Sequence, residues 1–151
     1  MLSQKARYAL RALIVLAHRP AGETVMIAEI AQEAHVPRKF LEQILLDLKK
    51  RGLVHSQRGK HGGYALGRPA KNIAFAEVIR VIDGPLALTP CSSQTAYRRC
   101  DDCTDETTCA IRKAMLAVRA ATAEILERSN IGEIVQGLPP ARPRSPRPAR
   151  P

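Results

Sequence analysis

The sequence predicts a mainly α-helical fold with a small β-wing: a winged helix-turn-helix domain plus a long C-terminal dimerisation helix. Three observations predict it. The apolar sets Ile27, Ile30, Ala31, Ala34 and Phe40, Leu41, Ile44, Leu45, Leu48 each mark one helix face, and only His35-Val36-Pro37 separates them. Directly behind the second set lies Gln57-Arg58-Gly59-Lys60-His61-Gly62-Gly63, a glycine-rich basic stretch between two strand-like runs. Further on, Ile111, Met115, Val118, Thr122 and Ile125 recur in alternating steps of four and three, a seam lasting about two heptads.

The first element is a scaffold helix from Ser3 to about His18, with Leu2, Ala6, Ala9, Leu10, Leu13, Ile14 and Ala17 on one face, Ser3 as its cap and Pro20 as its stop. Thr24-Val25 has the character of a short strand. The third helix, read with Phe40, Leu41, Ile44, Leu45 and Leu48 buried, ends at Gly52. If Pro37 opens it, Arg38, Lys39, Glu42 and Gln43 lie on its first turns, free to enter a major groove. Leu53-Val54-His55-Ser56 and Tyr64-Ala65-Leu66 then form a hairpin whose tip carries Arg58, Lys60 and His61, residues suited to a minor groove and to phosphates. Phe75, Val78, Ile79 and Ile82 define a fourth helix ending at Asp83-Gly84-Pro85. Around the seam, Ala114, Ala117, Ala120, Ala121 and Ala123 allow a second helix to approach closely, so self-association is expected. Ile131 to Val135 adds one more turn, and six prolines after it preclude a packed core from Gly137 to Pro151, which reads as a disordered basic tail.

Charge points the same way. The chain carries a formal net charge of +10, and between Val36 and Lys71 nine Lys or Arg face only Glu42 and Asp47. Such focal positive charge is an electrostatic footprint for double-stranded DNA. No apolar run approaches the roughly 18 to 20 residues that span a bilayer. The opening Met-Leu-Ser-Gln-Lys-Ala-Arg lacks the apolar core of a signal peptide, so a reducing, cytoplasmic compartment is expected. Catalysis finds little support, because His18, His35, His55 and His61 each stand apart from any paired carboxylate or nucleophile.

All four cysteines, Cys91, Cys100, Cys103 and Cys109, fall within nineteen residues of a polar stretch. In a reducing compartment that clustering points to metal or cluster ligation rather than disulfides or core packing. Structural zinc prefers two tight knuckles, whereas only Cys100-Asp-Asp-Cys103 resembles one, so the spacing leans toward an iron–sulfur cluster while leaving zinc open.

The segments Phe40-Leu41-Glu42-Gln43-Ile44-Leu45, Lys50-Arg51-Gly52-Leu53-Val54-His55-Ser56-Gln57-Arg58-Gly59 and Gly62-Gly63-Tyr64-Ala65-Leu66-Gly67 resemble the winged-helix regulators of the Rrf2 family. The opening Ser3-Gln4-Lys5-Ala6-Arg7-Tyr8-Ala9-Leu10 extends the likeness, which covers roughly Leu2 to Val135. The family includes the iron–sulfur cluster regulator, the nitric-oxide-sensing repressor and the rhizobial iron regulator. The resemblance implies a homodimer held by the long helix on a partly palindromic operator. It also implies three cluster-binding cysteines: Cys103 and Cys109 match the spacing of the second and third, and Cys91 matches the first after an insertion. Cys100 is extra, and Arg112 stands where one branch has a histidine. The fourth ligand is then Cys100, a carboxylate, or a group near Tyr8 of the other subunit, with 4Fe-4S and 2Fe-2S both open.

The expected organisation is a winged domain over 1–83, a cysteine-rich loop over 84–105, a dimerisation helix and terminal turn over 106–136, and the tail over 137–151. The expected function is a DNA-binding regulator, not an enzyme, that senses iron, redox state or nitric oxide. A zinc-stapled DNA-binding protein and an iron–sulfur electron carrier are the alternatives, and a protein partner in addition to DNA stays open.

Overall fold

The computed structural model describes residues 2–137, so the tail expected over 138–151 lies outside the described residues. Helix α1, Gln4–Ala17, starts where the Ser3 hydroxyl accepts from the Ala6 N–H at 2.9 Å, as its side chain predicts for a cap. Its buried face, from Ala6 to Leu16, forms the middle of the core. Helix α2, Ile27–Ala34, ends at His35, which adopts a left-handed conformation at φ 54° while the Val36 N–H closes back on the Ala31 carbonyl at 3.0 Å. That closure satisfies an orphan carbonyl and turns the chain sharply into helix α3, Arg38–Lys50. The break between the two helices thus has the geometry expected of a helix-turn-helix.

Strands β1, Val54–Gln57, and β2, Gly63–Leu66, pair antiparallel with Val54 opposite Leu66 and Gln57 opposite Gly63. Thr24-Val25 contributes an isolated bridge rather than a strand: Val25 and Tyr64 exchange both backbone hydrogen bonds at 2.8 Å. Gly63 explains how that neighbour comes so close. Its φ is 145°, and a Cβ there would lie 2.4 Å from the Val25 carbonyl oxygen.

Helix α4, Phe75–Asp83, packs on α1, and its last residue is tied to the beginning of the chain, where the Ser3 N–H donates to Asp83 Oδ2 at 2.9 Å and the Ser3 hydroxyl bonds the other oxygen. Helix α5, Ala110–Arg128, lies against α4. Helix α6, Ile131–Gly137, then returns to the winged domain, where Ile131 is fully buried among residues of α1 to α4. Two backbone bonds fix that return, Ile131 N–H to Ile73 at 3.0 Å and Phe75 N–H to Ser129 at 2.8 Å. The terminal turn, grouped with the long helix on sequence grounds, is therefore packed into the core of the winged domain. Gly137, grouped with the tail, closes α6.

One expectation fails inside α3. Phe40 is not on the buried face; it is 59% exposed, whereas Leu41, Ile44, Leu45 and Leu48 are fully buried. At 100° per residue those four fill a narrow stripe, and Phe40 falls on its flank.

Candidate nucleic-acid interface and metal centre

Helix α3 exposes Arg38, Lys39, Phe40, Glu42 and Gln43 together over its first two turns. Arg38 Nε lies 3.6 Å from Glu42 Oε1, a loose exposed pair that leaves the guanidinium free to change partner. Gln43 is held more firmly. Its Nε2 donates to Asp47 Oδ1 at 3.0 Å, and Asp47 Oδ2 accepts from Lys5 Nζ of α1 at 2.8 Å. The bond from Lys5 holds the Asp47 carboxyl below its ordinary range, outweighing the opposing effect of burial, and the Gln43 bond adds to it. Neither Lys5 nor Asp47 stands out in the sequence, because their pairing depends on how α1 crosses α3.

The hairpin places its basic residues at the tip. Arg58, Lys60 and His61 are exposed, with Gly59 at φ 109° between the first two and the Gly62 N–H closing the turn onto the Gly59 carbonyl at 2.9 Å. Two anchors stiffen it: Thr24 Oγ1 donates to the His61 carbonyl at 2.6 Å, and Lys49 Nζ of α3 donates to Ser56 Oγ at 2.6 Å. A basic tip braced against α3 has the charge and reach to follow a phosphate backbone or enter a minor groove.

Along α5, Ile111, Val118 and Ile125 are 68%, 42% and 64% exposed, while Met115 and Thr122 are half-buried. Ala114, Ala117, Ala120 and Ala121 are exposed as well, and Ala123 alone of that set is buried against its own chain. Val118 and Thr122 border an open groove of about 460 Å³ with Leu2, Ile79, Leu88 and Leu126. The seam thus faces outward in the single chain.

The cysteines line the connection between α4 and α5. Cys91 is buried in a 3-10 turn, Pro90–Ser92, that packs on α5, and the Arg98 N–H donates to the Pro90 carbonyl at 3.2 Å, closing the segment between them. That closure turns the chain back so that Cys100 follows two residues after the bonded Arg98. The neighbouring Cys91 thiol, aided by desolvation, raises the Cys100 pKa, while the Cys91 sulfur itself lies 3.5 Å from the Thr89 hydroxyl. Cys103 follows one turn on, its N–H donating to the Cys100 carbonyl at 3.1 Å, and Arg99 secures the turn through the Cys103 and Thr104 carbonyls. Asp105 accepts from the Thr107 N–H at 2.9 Å and from the hydroxyls of Thr107 and Thr108, bonds that lower its pKa. Cys109 caps α5, its sulfur accepting from the Arg112 N–H at 3.4 Å.

In kind this donor set suits an iron–sulfur cluster: four thiols, none in a disulfide, one at the positive end of a nineteen-residue helix. In position it is incomplete. Among the described residues no three His, Cys, Asp or Glu side chains converge as one metal would require, and the thiol whose pKa responds to Cys91 is Cys100, the cysteine the family spacing left over.

The helix-turn-helix, the braced basic wing and the outward seam on α5 agree with a sequence match that covers nearly the whole chain. The model of the Rrf2 family, described as iron-dependent transcriptional regulators, matches residues 2–137. The chain belongs to the Rrf2 family. Among its relatives, an rrf2-like HTH-type transcriptional regulator of Rhodobacter capsulatus is 47% identical over 121 residues, covering 78% of this chain and 81% of that protein. The HTH-type transcriptional regulator IscR of Escherichia coli is 36% identical over 102 residues, 68% of this chain and 63% of IscR. Among solved structures, CymR of Bacillus subtilis, the global cysteine regulator, superposes with a TM-score of 0.75 at 28% identity, covering 92% of this chain and 98% of CymR. IscR of T. potens gives 0.70 at 25% identity, covering 91% and 87%. This Rrf2 protein is therefore a DNA-binding transcriptional regulator of winged-helix fold. No helix among the described residues is long and apolar enough to cross a membrane.

Proposed function

We propose that this Rrf2 regulator binds a partly palindromic operator as a homodimer, through α3 and the wing, and that an iron–sulfur cluster in the loop between α4 and α5 sets how tightly. The observation that carries the reading is the placement of all four unpaired thiols on the connection between the winged domain and the helix with the exposed seam. The family's description as iron-dependent supports it. Cys91, Cys103 and Cys109 would hold the cluster, with Cys100 as a candidate fourth ligand. A bound cluster supplies a crosslink that forms and dissolves with iron supply, oxidation or nitric oxide.

The rest is work for the chain itself. Asp83 pins the end of α4 to Ser3, and the turn holding Cys91 rests on α5, so the loop's shape governs how the winged domain sits on the dimer helix. Two recognition helices must meet half-sites about 34 to 36 Å apart, so a small change of tilt alters whether both engage at once. A tenfold change in affinity needs only about 1.4 kcal/mol of difference between the two forms.

The test is titration of a duplex, selected by the protein from a randomised library, with anaerobically reconstituted and with chelator-treated protein at one fixed salt concentration. Binding curves should differ between the two forms. Cys91→Ala, Cys103→Ala and Cys109→Ala should each lose the cluster's absorbance and shift binding in the same direction, with helix content unchanged. Identical curves, or zinc at unit stoichiometry without iron and acid-labile sulfide, would sink the sensing role.

A further inference from the structure

Gln43 has an amide with two chemically opposite ends, and nothing in its own helix decides which end faces the DNA. Asp47 decides it. One helical turn further along α3, it lies on the same strip of surface, and its carboxylate, paired with Lys5, can only accept hydrogen bonds. The amide must therefore turn its nitrogen toward Asp47, which uses one N–H and leaves the carbonyl oxygen and the second N–H free. Lys5 fixes the carboxylate in turn from α1, so the orientation is set by the packing of two helices rather than by a free surface side chain.

We propose that Asp47, held by Lys5, is the positioning residue that presets Gln43 to read adenine. An adenine in the major groove offers N7 as acceptor and N6–H as donor, which match the remaining N–H and carbonyl of Gln43. Without Asp47 the amide can rotate by half a turn, and the same side chain then offers the reversed pattern, which does not suit adenine. Asp47 touches no base itself. Its negative charge opposes phosphate binding, so its place beside the recognition surface costs nonspecific affinity, a cost set against its bond to Lys5 and what it does to Gln43.

The inference rests on the reading of α3 as the DNA-reading helix, and the experiment separates the two. Using a duplex selected by the full chain from a randomised library, Gln43→Ala identifies the base pair that Gln43 reads. Asp47→Ala should lower the preference for adenine at that same pair by at least about tenfold while leaving affinity for random DNA equal or higher. In the double variant the loss should be no greater than in Gln43→Ala alone. Asp47→Asn, whose carbonyl can still accept the Gln43 N–H, should retain part of the preference, which a purely structural effect would not distinguish. If Gln43→Ala leaves every base preference intact, the reading of α3 falls and this assignment with it. If Gln43→Ala relaxes one pair but Asp47→Ala does not, or if the two losses add, the positioning role alone is overturned.

Discussion

Phe40 and Leu41 are neighbours in sequence with opposite surroundings: the first is 59% exposed, the second fully buried. Phe40→Ala should therefore change stability by less than about 0.5 kcal/mol. Leu41→Ala should cost about 2 to 5 kcal/mol, since it opens a cavity among Ile44, Leu45 and α1. Urea denaturation of both variants checks the pair, and a large loss for Phe40→Ala would return it to the core. Asp47 gives a second prediction at this scale. Its folded pKa is depressed, so its bond to Lys5 stabilises the native state at pH 7 and that contribution is lost as pH falls through and below the ordinary value of 3.8. Asp47→Asn should lower stability by up to about 1 kcal/mol at pH 7, the ceiling for a partly exposed pair. The gap from the parent chain in thermal melts should close in acid, and a gap that persists at low pH would assign it to packing instead.

At the scale of elements, the wing joins rigidity to charge. Its tip is fastened by Thr24 and its base by Lys49, so the backbone that carries Arg58 is held against the helical domain. Arg58→Ala should weaken binding most on sites with A·T-rich flanks and reduce the slope of log affinity against log salt by about 1. Unchanged affinity and slope would remove the wing from the interface. The wing was legible in the sequence because glycines at 59, 62 and 63 answer to local geometry: one turn tip and one close approach to Val25. The edge of a helix face was less so. Periodicity located the stripe of α3 but not its width, and Phe40 fell just outside. Lys5 and Asp47 were invisible for another reason, being 42 residues apart and meeting only through the crossing of α1 and α3. The thiols were conspicuous, yet their arrangement was not, since it depends on the backbone closure between Pro90 and Arg98 and on the turn from Cys100 to Cys103.

On the scale of the molecule, the long helix is fastened to the winged domain along α4, where Arg80 pairs with Glu127, and by Ile131 beyond its finish. Ile131→Ala should cost about 2 to 5 kcal/mol, and the winged domain should lose its helix content at lower urea together with α5. Two separate transitions, with the winged domain melting as in the parent chain, would show that it folds without the return of α6. The placement of Ile131 also bears on synthesis. A domain whose core residues run from Ala9 to Ile131 has its full core only once its last helix has been added. At about 5 to 20 residues per second, roughly 6 to 24 s separate the addition of the first and last of them. Throughout that interval α1 to α3 have no finished core to bury their apolar faces. A chain cut short before Ile131 should then hold its winged domain less tightly closed and bind DNA more weakly than the parent chain.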